Sequence, residues 1–250
     1  MIWTLYKKEM KSYLLSPLAY VLTGLFSLIC GWVFFSSVAK YVSEINAAGP
    51  MGAENIKFHS TIIEVFYALN ILFVLVVPLI TMRLISQEKK NHTLELLFAA
   101  PISDWQILIA KYFSALSMTL LILVTSLVFP IVLYFSGLED FSFFWSGYLS
   151  LFLNLSAYCA IGLLGSSLSK NQLIAVFISG SMILFLYLIA GASNITSNYY
   201  FVELFRYLGI TLHFDYIRNG ILHLHSLFYF LSVILMSLLV TKKILNSRNW

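Results

Sequence analysis

Six long apolar segments decide what this chain can fold into. Each has about 20 residues or more, the length that an α-helix needs to cross the ~30 Å hydrocarbon core of a bilayer. Helices satisfy every backbone polar group internally, so apolar segments of this length span as helices. The pattern predicts an all-α polytopic membrane protein with six transmembrane helices. The segments are residues 17–39, 62–85, 106–135, 144–168, 173–192 and 222–241.

Composition supports a single transmembrane domain over residues 1–250. The chain is 60% hydrophobic and 10% charged, whereas soluble domains carry about 25% charged residues. No cluster of Lys and Arg is interleaved with aromatic residues, so nucleic acid is not an expected partner. Cys30 and Cys159 both lie in apolar runs without disulfide or metal spacing.

The distribution of Lys and Arg predicts the orientation. If the N-terminus is cytoplasmic, eleven of these residues lie inside and four outside, as the positive-inside rule requires. Six spans then place the C-terminus in the cytoplasm as well. A cleaved signal peptide is the alternative for the N-terminus. The first apolar run is about 22 residues long, which exceeds the ~7–15 of a signal peptide and favours a retained span.

Residues 1–15 precede the first span and predict an interfacial amphipathic helix. Aromatic and apolar residues recur there at a spacing of three to four, with basic residues on the other side. The alternative is a basic anchor that only fixes topology. The predicted apolar face consists of Trp3, Tyr6, Met10, Tyr13 and Leu14.

Local signals predict how several spans begin and bend. Ser16-Pro17 places proline at the first helical position. Ser103 and Gln106 have the spacing of a capping box. Pro78 and Pro130 lie inside spans and predict kinks, with neighbouring helices satisfying the freed carbonyls.

The two long outer segments differ in pattern. Residues 40–61 contain Gly49-Pro50 and predict a loop. In residues 193–221, apolar residues recur at helical spacing after a polar break. This pattern predicts one or two short re-entrant helices that dip into the outer leaflet.

The segment 86–104 is a charged loop that also carries an apolar patch. It includes Glu88, Lys89, Lys90, Glu95 and Asp104. A loop that only had to be solvated would not need the patch, so we expect this loop to dock on another protein. The patch consists of Leu94, Leu96, Leu97 and Phe98.

No catalytic motif is present, and no catalytic or metal-binding residue is predicted. The chain has no Gly-rich phosphate loop, so it is not expected to hydrolyse ATP itself. The pair His223 and His225 is interpreted as histidines at the membrane interface and not as a metal site. Glu64 is the main ionisable residue within the spans, whereas ion-coupled carriers need such groups near the midplane. Any transport energy is therefore expected from outside the membrane.

Two motifs carry a family resemblance. The run from Glu88 to Leu97 (EKKNHTLELL), followed by Ala100-Pro101-Ile102-Ser103 and ending at Lys111, resembles the permease subunits of type-2 ATP-binding-cassette exporters. Their typical run is an acidic–basic pair, Gly-Thr-Leu-Glu, Pro-x-Ser and Gly-Lys. Here Asn91-His92 stands where Arg-Gly is common, and Ala110 stands where Gly is usual.

The tail of the chain is similar to the gliding-motility-associated branch of that family. The similar stretch runs from His213 to Ile221 (HFDYIRNGI) and continues in Leu227–Val233. Asn219 separates the usual adjacent Arg-Gly, and His223 and His225 replace an acidic residue.

The resemblance implies a half-transporter in the bacterial inner membrane. A second permease copy, or a related permease, would complete it within the membrane lipids. A separate cytoplasmic ATPase would hold ATP and Mg, with no cofactor on this chain. The resemblance implies a cytoplasmic coupling helix around residues 93–99, and His213, Asp215 and Arg218 at an outer gate. The residues implied in coupling to the ATPase are Glu88, Thr93, Leu94, Glu95, Leu97, Phe98 and Pro101.

Two other functions fit parts of the sequence. A lipid-modifying membrane enzyme would use an outer cluster of His, Asp and Arg. A secondary carrier or channel would give flux without ATP. The substrate, the identity of the second permease and any role in gliding stay open. The residues that such an enzyme would use are His213, Asp215, Arg218, His223 and His225.

Overall fold

The computed structural model describes residues 2–52, 58–94, 102–135, 142–194 and 198–247. These residues are almost all helical, and no β-strand occurs among them. The predicted all-α fold is confirmed. In chain order the helices are α1 (Ile2–Leu14), α2 (Pro17–Gly52), α3 (Phe58–Thr81), α4 (Arg83–Lys90), α5 (Asp104–Thr125), α6 (Val128–Phe135), α7 (Ser142–Leu168), α8 (Gln172–Leu188), a 3₁₀ helix (Ile189–Asn194), α9 (Tyr199–Leu208), α10 (Ile210–Arg218) and α11 (Leu224–Asn246).

Six helical stretches are long and apolar enough to cross a membrane. The second joins α3 to α4, and the third joins α5 to α6. Each overlaps one of the six predicted segments, so the predicted multi-pass architecture is confirmed. The stretches are Pro17–Ala47, Ile62–Lys90, Asp104–Leu133, Phe143–Leu168, Gln172–Ser193 and Leu224–Asn246.

Contacts between helix ends define two sides of the bundle. We call the side that holds α1, the end of α4 and the start of α5 the terminal side. The end of α11 lies there too, since the ammonium of Lys242 is 4.9 Å from the ring centre of Trp105. The opposite side, which holds α9, α10 and the ion pair between Lys40 and Glu64, is the far side.

Helix α7 is the centre of the bundle. Of its most apolar stretch, 83% is buried, against 17% for α8. Two glycines let other helices approach it closely. A Cβ at Gly162 would lie 2.3 Å from Thr81 Oγ1, and one at Gly165 would lie 2.8 Å from the backbone nitrogen of Ser179.

Proline interrupts one span as predicted. Pro130 has no N–H for the carbonyl of Ser126 four residues earlier, and a turn at Ser126–Leu127 separates α5 from α6. That carbonyl accepts from Phe129 N at 3.2 Å and from Tyr148 Oη at 3.1 Å. A neighbouring helix thus satisfies the group that proline leaves free.

The loop predicted at residues 40–61 is wrong for residues 40–52 and 58–61, which are helical, and residues 53–57 lie outside the described residues. Helix α2 continues through Gly49 and Pro50 to Gly52, and α3 begins at Phe58. Lys40 of α2 and Glu64 of α3 pair at 2.6 Å on the far side. A proline in the last turn ends a helix rather than preventing it, because the helix need not continue beyond it.

The outer segment forms two short helices, as predicted. Asn198 caps α9 by accepting from Tyr200 N at 3.2 Å. Helix α10 lies beside the first turns of α7, where Ser150 Oγ donates to the carbonyl of Phe214 at 2.8 Å. Helix α10 thus packs against a candidate span, and a re-entrant position in the outer leaflet stays a prediction.

Candidate functional site

Lys111 is the centre of a buried ion-pair cluster on the terminal side. Its ammonium lies 2.9 Å from Glu9 Oε1 and 2.9 Å from Glu88 Oε1, and it donates to the carbonyl of Leu84 at 2.7 Å. Its side chain is 1% exposed. An ammonium has three donors, and all three are used. One side chain thus joins α1, α4 and α5.

Helix α1 packs on the bundle through this cluster. Leu5 and Tyr13 are buried, whereas Trp3, assigned by sequence to the apolar face, is 63% exposed. The amphipathic helix is present, but its inward face follows Leu5, Glu9 and Tyr13 because Glu9 pairs with the buried Lys111. The Tyr13 hydroxyl donates to the carbonyl of Ile80 at 2.9 Å. Burial raises the pKa of Tyr13, so it stays a neutral donor.

A serine of α7 holds the start of α4. Ser166 Oγ accepts from the backbone N–H groups of Ile85 and Ser86, both at 3.1 Å, and donates to the carbonyl of Met82 at 2.8 Å. The first N–H groups of a helix lack partners within it. Ser166 therefore acts as a cap from a neighbouring helix and fixes α4 to the centre of the bundle.

The charged loop is held at both of its described ends. At its start, Thr93 N donates to the carbonyl of Glu88 at 3.1 Å, and His92 adopts a φ of 54°. This is the left-handed residue that ends many helices and is usually glycine. At the other end, Ser103 and Gln106 form the predicted capping box. In the exporter motif this position is commonly glycine, which signals the end of a helix. Here His92 replaces that glycine.

The residues predicted for coupling fall into two groups. Glu88 binds Lys111, Thr93 lies on the surface, and Leu94 is 4% exposed within the chain's own core. The contact that the loop was predicted to make with a partner protein then depends on the other predicted residues. Those are Glu95, Leu97, Phe98 and Pro101, which lie outside the described residues.

A cavity of about 210 Å³ lies between α1, α4 and the start of the loop. Glu88 Oε2 and Arg83 Nη2 are buried without a hydrogen-bond partner in the part of the chain that the structure describes. The guanidinium of Arg83 lies 4.4 Å above the ring of Tyr13. The cavity is lined by Lys8, Glu9, Ser12, Tyr13, Arg83, Leu84, Gln87, Glu88, Asn91 and Thr93.

On the far side, α10 carries the three residues predicted for an outer gate. His213 is fully buried, with Nε2 3.0 Å from the carbonyl of Tyr207 and Nδ1 3.0 Å from Ser226 Oγ. A carbonyl only accepts, so Nε2 carries the proton and Nδ1 accepts from the serine. The imidazole is stacked on Tyr229 with 4.1 Å between ring centres. Burial lowers the pKa of His213, which keeps it neutral.

Asp215 and Arg218 face α3 instead. The Tyr67 hydroxyl donates to Asp215 Oδ1 at 2.5 Å, and Arg218 Nη2 lies 3.4 Å from the same oxygen. The guanidinium lies 4.5 Å above the Tyr67 ring. Burial raises the pKa of Asp215, while the tyrosine hydrogen bond and Arg218 oppose the rise. The structure thus brings Asp215 and Arg218 together but separates them from His213.

The outer histidines lie near one another. His223 and His225 are stacked with 4.8 Å between ring centres, and the ring centre of His213 is 5.7 Å from that of His225. Both ring nitrogens of His213 are used in structural hydrogen bonds. Among the described residues, no three His, Cys, Asp or Glu side chains are close enough to share a metal.

Sequence reasoning missed three partners in these clusters. Glu9 and Tyr67 complete the two ion-pair sites, and Lys111 was noted only as the end of a motif. A lysine two turns inside an apolar span was the signal for the first site, because such a charge needs a buried partner. Neither Glu9 nor Tyr67 has a local signal.

A comparison with known families agrees with this architecture. A model described as an ABC-2 family transporter protein matches residues 3–244, nearly the whole chain. No curated protein matches the chain significantly. With six candidate spans and this match, the chain belongs to the ABC-2 transporter family and is a transmembrane permease of that family.

Proposed function

We propose that this permease is the membrane subunit of an ATP-driven exporter. It works with a second copy of itself or a related permease, and a separate cytoplasmic ATPase supplies ATP, Mg²⁺ and energy. Membership of the ABC-2 transporter family supports this function. The observation that carries it is the Lys111 cluster, because it joins the three helices nearest the charged loop.

The anchoring of the loop favours transmission of force. Glu88 fixes the loop's start through Lys111, and the Ser103 capping box fixes its end. A partner that moves such a loop moves α1, α4 and α5 as one body instead of bending the loop. A rigid-body shift biased by ATP is a common form of two-state change. The loop would then act as a lever for the spans.

The residues of the loop divide between anchoring and docking. We assign Glu88, Thr93 and Leu94 to anchoring, because the first is paired and the last is buried within the chain. We assign Leu97 and Phe98 to an apolar contact with the ATPase. Glu95 and Pro101 would orient and end that contact.

The terminal side would face the cytoplasm of a bacterial inner membrane. Eleven of the fifteen Lys and Arg residues fall on that side of the predicted topology. On the far side, α9 and α10 would close the exit. His213 would hold α10 to α11, and Asp215 and Arg218 would hold it to α3, so both sets of contacts would have to change when the exit opens.

The test is to purify the protein with a C-terminal tag from its native host in mild detergent. We expect an ATPase with a phosphate-binding loop to elute with the wild type and with Leu97→Met, which keeps an apolar side chain. Recovery with Leu97→Asp should fall by at least about tenfold, since a carboxylate in an apolar contact costs more than ~1.4 kcal/mol.

Two results would contradict the proposal. One is a wild-type permease that elutes alone in several detergents. The other is undiminished ATPase recovery and transport with Leu97→Asp. A second membrane protein in the eluate would identify a related permease as the other half.

A further inference from the structure

The guanidinium of Arg218 is buried but poorly bonded. Its side chain is 5% exposed, and its two polar contacts, to Asp215 and to Asn219, are both 3.4 Å long and both use Nη2. Nε and Nη1 are buried without a hydrogen-bond partner among the described residues. Charge-assisted bonds of arginine are normally about 2.7–2.9 Å long. A buried cation in this state lacks acceptors.

The nearest carboxylate does not fill this need because it is already engaged. Asp215 Oδ1 accepts from the Tyr67 hydroxyl at 2.5 Å and lies 3.4 Å from Arg218 Nη2. The Tyr67 ring lies against the guanidinium face and offers no acceptor in its plane. Nε and Nη1, which together carry three N–H donors, therefore stay without an acceptor among the described residues.

The position of Arg218 gives it a route to the surface. It is the last residue of α10, and Gly220 ends that helix with a φ of 80°. Ile221 N donates to the carbonyl of Tyr216 at 2.9 Å across this turn, as in a glycine-terminated helix. Asn219 and Gly220 are exposed. The guanidinium thus lies directly beneath an exposed turn, beside the partly exposed Asp215.

We propose that Arg218 is a binding site for an oxyanion of the phosphate type, carried by a lipid headgroup or by a free anion. The ligand would accept from the unfilled donors when the turn at Asn219-Gly220 lifts. Arginine is the side chain best suited to such groups, because its donors lie in one plane and its charge is permanent.

An anion site at Arg218 predicts different effects for the loss of Arg218 and the loss of Asp215, whereas a purely structural ion pair predicts the same effect for both. If the two residues served only as a structural pair, losing either one would have the same effect. If Arg218 binds an anion, Asp215 competes with that anion for the cation. Asp215→Asn keeps an oxygen for Tyr67 and removes the competing charge, so it should strengthen anion binding, whereas Arg218→Gln should abolish it.

The experiment measures thermal unfolding of the purified permease in nanodiscs. The three conditions are phosphatidylcholine, phosphatidylcholine with inorganic phosphate in the buffer, and phosphatidylglycerol. We expect an anion to raise the wild-type Tm by about 5 °C, as for a ligand well above its Kd. Lysines on the terminal side also attract anionic lipid, so the informative quantity is the difference between wild type and variants.

Arg206→Gln is the matched control, because Arg206 is also on the far side but is exposed on α9. We expect Arg206→Gln to keep the anion response, Arg218→Gln to lose it and Asp215→Asn to enlarge it. A response to phosphatidylglycerol alone identifies a lipid headgroup, and one to inorganic phosphate identifies a free anion. An unchanged response in Arg218→Gln, an unchanged or reduced one in Asp215→Asn, or none in the wild type would overturn the site. If Arg218→Gln does not fold, the direction of the Asp215→Asn effect still decides.

Discussion

Each side of the bundle has a buried cation in an ion pair, and these two cations are bonded differently. Lys111 on the terminal side has two carboxylates and a carbonyl within 2.9 Å. Arg218 on the far side has one carboxylate at 3.4 Å and, within the part of the chain that the structure describes, two nitrogens without an acceptor. A buried charge is stable when its geometry and its hydrogen bonds are complete. The terminal side is therefore built as a fixed joint, and the far side is built to be rearranged at lower cost.

This difference fits the proposed function. In that function the loop on the terminal side would keep its place while the ATPase moves it, and the helices on the far side would separate when a substrate leaves. Tests that remove or weaken the two clusters should therefore give unequal results.

The largest effect is expected for Lys111→Met. The variant leaves Glu9 and Glu88 buried near each other without a cation, which costs about 3–5 kcal/mol. This corresponds to a fall in Tm of about 10 °C for a chain of this size. Lys40→Met is the control, because Lys40 and Glu64 form an exposed pair and exposed pairs contribute little. Equal falls in Tm for the two variants would show that the Lys111 cluster is not a joint.

The second prediction concerns the close packing of α7 against α8 in the half of α7 nearer the terminal side. Gly165→Ala places a methyl group 2.8 Å from backbone atoms of Ser179, and overpacking of this kind costs about 1–3 kcal/mol. Gly24→Ala is the control, since nothing lies within 4 Å of its Cβ and alanine favours a helix by about 0.5–1 kcal/mol. Tm should fall in the first variant and hold or rise in the second. Two variants of equal Tm would mean that α7 and α8 can separate freely there.

Double-mutant cycles should sharpen the comparison directly. The terminal cycle uses Glu9→Gln with Lys111→Met, and the far cycle uses Asp215→Asn with Arg218→Gln. We expect a coupling energy of about 2 kcal/mol or more for the first pair and less than about 1 kcal/mol for the second. Denaturation in detergent measures both. A far-side coupling as large as the terminal one would remove the distinction between the two clusters.

The smallest effect is expected from pH at His213. Its pKa is lowered by burial, so the unfolded chain binds this proton more readily than the folded one. The stability that the neutral imidazole provides is complete above the unfolded pKa of about 6.5 and falls as pH drops below it. His225 nearby adds to this direction.

The measurement compares Tm at pH 7.5 and pH 5.5 for the wild type and His213→Gln. The wild type should lose a further ~1–3 °C on acidification relative to the variant. The raised pKa of Asp215 acts in the opposite direction at lower pH and is common to both proteins. An identical pH dependence in the two would show that His213 does not titrate against folding.

Much of the fold could be predicted because its signals are local. Spans of about 20 apolar residues, the capping box at Ser103 and the periodicity of α9 and α10 all depend on neighbouring residues. The loop predicted at residues 40–61 was wrong for the same reason. Gly49-Pro50 signals the end of a helix, but it does not say how far the helix extends before that end.

The sequence by itself determined the six spans, the positive terminal side and the absence of an ATP-binding loop. Only the tertiary structure decided which charges meet. Glu9 and Lys111 are 102 residues apart, and Tyr67 and Asp215 are 148 apart. Local patterns cannot specify such pairs, because they show only that a buried charge needs a partner. The packing of the helices determines which residue lies close enough to be that partner. The difference between the well-bonded Lys111 cluster and the under-bonded Arg218 therefore arises from helix packing.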